Sequence, residues 1–547
     1  MGSPPYRPFL AASLAVALCA STAHALPPAA PAGLDAHVER VRKEFELPGF
    51  AIAIVKDGQV VVARGYGVRQ LGTQAPVDEQ TLFAIASNSK AFTATALALL
   101  VEEGKLDWNA PVVRYLPWFQ LSDPYVTREL TVRDLLVHRS GLGLGAGDLL
   151  WWPPSNHTRA ESVRKLRGVP LATSFRGNYA YDNVLYLVAG ELIHAVSGQD
   201  WEQFVASRIL DKVGMTQSKP RFRKPPGNVA SPHARMNGTI RPVEPFVVDN
   251  ANPAAGVMSS AGDLAKWMTV QLGAGRLPDG TALFSPRTSK ELFAMVTPMT
   301  IAEPTSGLEA LRPNFRGYAL GFEVRDYRGH KLVTHGGVLP GYYSRVTMVP
   351  ELGLGVAVLT NQESTEALGA VTYHVLDHYL GAPPTDWVAA HLEAKRALEA
   401  KAAEAERKVL AAREANTRPS LPLGAYAGDY ADAWYGDVAI KQENDRLVIR
   451  FAHTPMLVGD LEHWQFDTFV ARWRNRELRA DAFVTFALNP DGTIDQVKLR
   501  PVSPATDFSF DFQDLLLKPA PGKPAEQAPA PKPPTVKPPV AQTRPGQ

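Results

Sequence analysis

Ser87-Asn88-Ser89-Lys90 places a hydroxyl and an amine three residues apart. The apolar run Leu82-Phe83-Ala84-Ile85-Ala86 precedes it, and the helix-forming run Ala91 to Val101 follows, reaching Glu102-Glu103 and stopping at Gly104. A helix starting at or just after Ser87 puts both side chains on one face. It also sets Ser87 at the positive end of the helix dipole, where a developing oxyanion is favoured. A serine hydroxyl attacks poorly until a base takes its proton, and a desolvated lysine is such a base. The four letters alone decide little. Ser162-Val163-Arg164-Lys165 repeats the spacing in a polar, arginine-rich stretch, with no apolar strand before it and no long helix after it, and reads as chance.

Two further motifs follow in order. Tyr181-Asp182-Asn183 is the only Y-x-N in the chain and precedes the amphipathic run Val184 to Val196, closed by Gly198. His335-Gly336-Gly337 ends a short strand-like run, Lys331-Leu332-Val333-Thr334. Serine–lysine, tyrosine–asparagine, then a basic residue with glycines on a strand resembles the penicillin-recognising serine hydrolases, most closely their class C β-lactamase, D-peptidase and esterase branch. The resemblance runs from about Leu34 to about Gly381. It includes Leu135-Leu136-Val137-His138-Arg139-Ser140-Gly141-Leu142, Gly256-Val257-Met258-Ser259-Ser260-Ala261-Gly262-Asp263-Leu264, and the ending Val349-Pro350-Glu351 through Thr360-Asn361.

The resemblance implies roles. Ser87 is then the nucleophile rather than a simple N-cap, and Lys90 a buried base rather than a solvated helix lysine. Tyr181 shuttles the serine proton with Lys90, its phenol accepting and returning one. Asn183 holds Lys90 or the substrate's acyl side chain, or caps the following helix. His335 stands where penicillin-binding relatives carry lysine. A histidine is only partly charged near neutral pH and anchors a substrate carboxylate less firmly, which shifts weight from β-lactams toward esters and amides. Gly336 and Gly337 allow a bound chain to approach the strand. The oxyanion donors implied are the N–H groups of Ser87 and Val338. His138 is structural by the same comparison, and Trp151-Trp152-Pro153-Pro154 either walls the cleft or anchors a loop by packing. There is no H-E-x-x-H and no paired metal-ligand spacing, so neither metal nor cofactor is expected.

At 547 residues more than one folded unit is expected, and charged residues at 20% with apolar residues at 45% describe a soluble globular protein. A formal charge of +2 without a basic, aromatic-interleaved cluster argues against nucleic acid. Residues 1–25 read as a cleavable signal peptide: Arg7, the apolar run Phe9 to Ala20, then Ala23-His24-Ala25. That run is too short to span a bilayer, and no later segment is long and apolar enough. The expected location is periplasmic or secreted. Cys19, the single cysteine, lies in this segment after the bulky Leu18, which disfavours lipidation. The cleaved chain would then have no cysteine, hence neither disulfides nor a thiol nucleophile.

The expected architecture is an α/β hydrolase domain over 34–381, an antiparallel sheet flanked by helices beside an all-helical lobe. Leu34 to Glu46 reads as helix, and Gly49 to Val55 and Gln59 to Gly67 as a hairpin around Asp57-Gly58. Further strands are expected at Leu320 to Val324, Lys331 to Thr334, Ser344 to Val349 and Gly353 to Thr360. Residues 384–420 read as a helical, largely solvated linker, with apolar positions too sparse for a heptad. Residues 421–518 carry short, turn-punctuated strands that argue an antiparallel barrel, resembling a small lipocalin-like domain. Trp434, Tyr435, Trp464, Phe466 and Phe469 are expected to fill that barrel without a ligand. Residues 519–547, rich in Pro, Ala and Lys, read as a disordered tail.

The expected function is an exported serine hydrolase that acts through a Ser87 acyl-enzyme on ester or amide substrates, D-amino-acid peptides included. A β-lactamase or D,D-carboxypeptidase is the alternative within enzymes, and a non-catalytic binding protein that keeps the fold is the alternative outside them. The expected partner is a small-molecule or peptide substrate. The barrel is expected to narrow access to Ser87 or to mediate homo-oligomerisation.

Overall fold

In the computed structural model of the chain the described residues are Gly2, 29–222 and 227–520. The expected signal segment with Cys19, and the tail beyond 520, lie outside them. The chain opens with α1 (Leu34–Glu44) and the hairpin of β1 (Gly49–Lys56) and β2 (Gln59–Gly67). Asp57 and Gly58 turn it with φ of 51° and 76°, the left-handed conformation that Asp-Gly supplies in tight hairpins. A largely helical region follows, containing α2 (Ser89–Glu102), α3 (Val184–Ser197) and α4 (Ala261–Leu272). The chain then returns to strands: β3 (Thr297–Pro298), β4 (Arg316–Tyr318), β5 (Glu323–Tyr327), β6 (His330–Leu339), β7 (Tyr342–Val349) and β8 (Leu354–Thr360), before α5 (Thr365–Leu380).

These strands and the first hairpin share one antiparallel sheet in the order β2-β1-β8-β7-β6-β5-β4-β3. The sequence of β1 explains why it lies inside. Ala51, Ala53 and Val55 face one apolar core with α2 and α4, while Phe50, Ile52 and Ile54 face a second core with α1 and α5. Alternate residues point to opposite faces, so a strand covered on both sides reads as an unbroken apolar run. Truncating Ile52 to alanine would cost about 2–5 kcal/mol. Helix α2 is buried at every position from Ser89 to Leu100, as expected of a helix apolar all round.

Two strand expectations are corrected. The run expected to end at the His335 triplet continues through it to Leu339, because pairing with β7 persists to Leu339↔Tyr342. The run expected from Leu320 starts only at Glu323, since Gly321 takes φ 80° and interrupts the extended backbone.

Helix α6 (Trp387–Ala411) is buried only at Trp387, Val388, His391 and Ala394, and the rest is solvated. Its last turn places Val409 on Trp464, Val470 and Phe483. Eight strands follow: β9 (Gly428–Asp432), β10 (Gly436–Glu443), β11 (Arg446–Phe451), β12 (Val458–Gln465), β13 (Thr468–Trp473), β14 (Ala482–Leu488), β15 (Ile494–Pro501) and β16 (Lys518–Pro519). They form a nearly closed antiparallel barrel, in which β16 pairs with β9 and Leu517 bridges to Val497 of β15.

The barrel interior holds Tyr426, Tyr435, Phe451, Phe469, Trp473 and Phe512, all buried. Two expected core aromatics are elsewhere. Leu461 faces in, so Trp464, an odd number of residues on, faces out toward α6. Phe466 is 56% exposed at a turn with φ 47°. The barrel interior and the helical lobe belong to one contiguous apolar cluster, so the two domains are packed together rather than merely tethered.

Candidate active site

The tight turn Ala86–Asn88 presents Ser87 just ahead of α2. Ala86 takes φ 47°, a left-handed conformation that costs a non-glycine residue free energy. The surroundings hold it there. Ile85 donates its N–H to the Val257 carbonyl at 3.0 Å. The Ile85 carbonyl accepts from Ser344 Oγ at 2.8 Å, and Asn88 Nδ2 donates to that same Oγ at 2.8 Å. Gly337 makes this clamp sterically feasible: a Cβ there would lie 2.0 Å from the Ile85 carbonyl oxygen. Glycine is therefore required at Gly337 for close approach of two backbones. At Gly336 a Cβ would meet only the Ser344 carbonyl oxygen, at 4.0 Å.

Lys90 is fully buried. Its Nζ lies 3.0 Å from Ser87 Oγ, 2.8 Å from Asn183 Oδ1 and 3.2 Å from the Ala254 carbonyl oxygen. Burial brings the ammonium down to about 7, against the opposing pull of Asp148 and Asp182. Two of its partners, the amide oxygen and the carbonyl, can only accept. A neutral amine thus spends both N–H bonds on them and leaves its lone pair for the Ser87 hydroxyl.

Tyr181 completes the group. Lys90 Nζ sits 4.8 Å from its ring centroid. Burial pushes the phenol well above its ordinary value, an effect partly countered by the Ser87 side chain. The His138 segment positions Tyr181 from behind. The His138 ring packs against it at 4.3 Å, tilted by 33°, and His138 Nδ1 accepts the Asp182 N–H at 3.1 Å.

His335 is buried and lowered to about 3, chiefly by burial and then by Lys90. Its Nδ1 donates to the Gly336 carbonyl at 2.6 Å. The neutral ring must therefore accept at Nε2 from the Tyr318 hydroxyl, 2.7 Å away. The partial charge expected at neutral pH is absent because the ring is desolvated beside a lysine. Beyond Thr334 the pairing of β6 with β5 stops, whereas its pairing with β7 continues. One edge of the segment from His335 to Val338 is left without a β5 partner.

Several participants were not read from the sequence. Asp148 accepts from Asn183 Nδ2 at 2.8 Å and from Trp151 Nε1 at 2.7 Å, and burial pushes its carboxyl up to about 7. The signal was present: Asp148 is the lone charge within Gly141 to Trp152. Trp151 and Trp152 both pack and line the cleft, so both expected roles hold together. The cleft, about 830 Å³, is also lined by barrel residues, Arg479 and the segment 503–509 among them. Arg479 pairs bidentately with Glu363 of the hydrolase domain at 2.7 and 2.6 Å. Among the described residues, no group of three or more His, Cys, Asp or Glu side chains is placed to hold a metal.

Residues 34–380 match the beta-lactamase family. The chain belongs to that family. Its members are serine hydrolases, and the serine–lysine–tyrosine cluster falls within the matched segment. Residues 412–519, the barrel, match a domain of unknown function (DUF3471). Over 496 residues, 84% of this chain and 86% of the relative, the sequence is 29% identical to the unguisins hydrolase ungD of Aspergillus violaceofuscus. It is 26% identical over 336 residues to protein flp of Staphylococcus aureus, covering 60% and 63% of the two chains. Among solved structures, the octameric penicillin-binding protein homologue from Pyrococcus abyssi aligns with a TM-score of 0.55 and 22% identity, over 89% of this chain and 99% of that one. No helix among the described residues is long and apolar enough to cross a membrane.

Proposed function

We propose that this family member is an exported hydrolase of esters or amides, peptides included, working through an acyl-enzyme on Ser87. The carrying observation is the three-way contact of buried Lys90 with Ser87, Asn183 and the Ala254 carbonyl. In this reading Ser87 Oγ bonds to the substrate carbonyl carbon while its proton passes to neutral Lys90, with Tyr181 relaying it to the leaving group. The N–H groups of Ser87 and Val338 receive the oxyanion. Water then attacks the acyl carbon by the same path in reverse, restoring the Ser87 hydroxyl and releasing the acid.

The neutral His335 argues for substrates without a carboxylate beside the scissile bond, and against β-lactams and free-carboxylate D,D-peptides. Likeness over most of its length to a relative named as a hydrolase of unguisins supports the hydrolase reading. A panel of p-nitrophenyl esters, D-amino-acid amides and nitrocefin, each run against Ser87→Ala, tests this. Nitrocefin turnover above ester and amide turnover would reverse the assignment. Export is checked by sequencing the mature N-terminus, expected at Leu26. Self-assembly, in keeping with an octameric structural neighbour, is checked by light scattering.

A further inference from the structure

The segment 502–511 leaves the barrel after β15 and returns at Phe512. At the near end Val502 N–H bonds the Asp481 carbonyl at 2.9 Å. At the far end Phe512 stacks on Trp473 at 5.7 Å inside the barrel. Between these anchors the segment crosses to the hydrolase domain. Asp511 accepts the N–H groups of Gly147 at 2.6 Å and Leu149 at 3.0 Å. Ser509 is buried and donates its hydroxyl to Asp148 Oδ2 at 2.7 Å. The approach is close enough that a Cβ on Gly145 would lie 2.6 Å from the Phe508 carbonyl oxygen.

We infer that the barrel domain is a working part of the catalytic site, with Ser509 as a positioning residue that acts on Lys90 through Asp148 and Asn183. Each link is a direct hydrogen bond: Ser509 to Asp148 at 2.7 Å, Asn183 to Asp148 at 2.8 Å, and Lys90 to Asn183 at 2.8 Å. The inference rests on the reading of Lys90 as the base for Ser87. Asp148 can accept from Asn183 Nδ2 only while its oxygen is an acceptor, and that contact turns Asn183 Oδ1 toward Lys90. Ser509 stabilises the carboxylate form of Asp148. The other charged or titratable groups packed around this chain are Asp182, Asp511, Tyr181, Tyr186, His138 and His335; Asp148 raises Asp511, while Lys90 lowers Asp148. Losing the Ser509 hydroxyl favours protonated Asp148, and Lys90 then loses an anionic neighbour that supports its charged form.

The test is Ser509→Ala and Ser509→Thr in the full-length protein, followed by the rate of Ser87 labelling with a fluorophosphonate across pH 5–9. Ser509→Ala should lower the labelling rate on the order of 10-fold and move the acid limb of its pH profile downward by about half a unit or more. Ser509→Thr, which keeps the hydroxyl, should restore both. A merely structural role would lower thermal stability and leave the limb in place. An unchanged limb in folded Ser509→Ala, or a limb displaced equally in Ser509→Thr, overturns the inference. If Ser509→Ala does not fold, the Ser509→Cys variant, near in size and a weak donor, takes its place under the same criteria. Failure of wild type to label at Ser87 would instead remove the underlying reading, so the two failures are distinct.

Discussion

At Ser87–Lys90 the amine reaches the hydroxyl at 3.0 Å. At Ser162–Lys165 the same spacing also sits on a helix, yet Ser162 Oγ donates to the carbonyls of Thr158 at 3.0 Å and Leu150 at 3.3 Å. Lys165 Nζ turns away to the carbonyls of Trp434 at 3.2 Å and Tyr435 at 3.1 Å. Desolvation lowers both lysines, so burial alone does not make a base. The difference lies in what the amine's remaining valence meets. Lys90 has two obligate acceptors and one hydroxyl, whereas the hydrogen-bonded partners of Lys165 are backbone carbonyls. A strained turn ahead of the helix, clamped by β6 and β7, aims Ser87 outward. Ser162 lies within its helix and spends its hydroxyl on the backbone.

The comparison breaks most sharply at the two serines. Ser87→Ala should abolish covalent labelling by acyl and phosphonyl probes, read by intact mass. Ser162→Ala should label within about twofold of wild type, as expected of a change away from the reacting atoms. A labelled Ser87→Ala protein would overturn the assignment of nucleophile.

Lys90→Met should slow acylation on the order of 10²–10⁴-fold, the usual worth of a positioned general base. In wild type, Lys90 lowered to about 7 gives kcat/KM an acid limb there, with activity rising as pH increases and the amine loses its proton. His335, lowered to about 3, should add no limb near its ordinary value. A profile flat from pH 5 to 9 would remove Lys90 as the base.

The same cluster bears on stability. Burial raises the Asp182 carboxyl to about 7. Its contribution is therefore fully present below its unfolded pKa and is lost as pH rises through 7, because the folded state holds the proton longer. Asp182→Asn should make the fall of unfolding free energy between pH 4 and 7 shallower, by at most about 1.4 kcal/mol per pH unit. Denaturant titrations at a series of pH values measure this, and an unchanged slope would place the charge on another group.

The halves of the site differed in how legible they were. Ser87, Lys90, Tyr181 and Asn183 stood out because their motifs follow one another in the order of the family resemblance, which singles out Ser87–Lys90 from the same spacing at Ser162–Lys165. The clamp on Gly337 was half visible: the glycine could be read, but not that Ile85 fills the space beside it. Asp148, Tyr318 and Ser509 were missed because the contacts that give them meaning join distant segments, 361 residues apart for Ser509 and Asp148. Trp464 and Phe466 failed for a local reason: composition names aromatic residues, while strand phase and turns decide which way each faces.

Phe508 probes that hidden half. It meets the Tyr181 ring edge-on at 5.9 Å and remains 42% exposed. Phe508→Ala should raise KM several-fold for aromatic acyl esters, about 1 kcal/mol of aromatic contact, with kcat nearly unchanged. An equal loss in kcat would show that the ring sets the Tyr181 position rather than the substrate's.

The smallest effect on turnover is expected at Lys165, where the comparison is most exposed to failure. Lys165→Met keeps the apolar stem and deletes the amine, leaving the Trp434 and Tyr435 carbonyls without it. Such a loss costs about 1–3 kcal/mol, which for a protein of this size is a fall of a few degrees in Tm at the barrel interface. The rate of Ser87 labelling and its pH limb should not move, because the carbonyls that Lys165 bonds belong to Trp434 and Tyr435, neither of which is hydrogen-bonded to Ser87, Lys90, Asn183 or Asp148. Matched Tm and labelling measurements separate the cases. A stability loss alone makes the second serine–lysine pair a tether between domains. A labelling rate that falls with the first amine untouched would mean that the barrel's seat on the hydrolase domain governs Lys90 from this side as well.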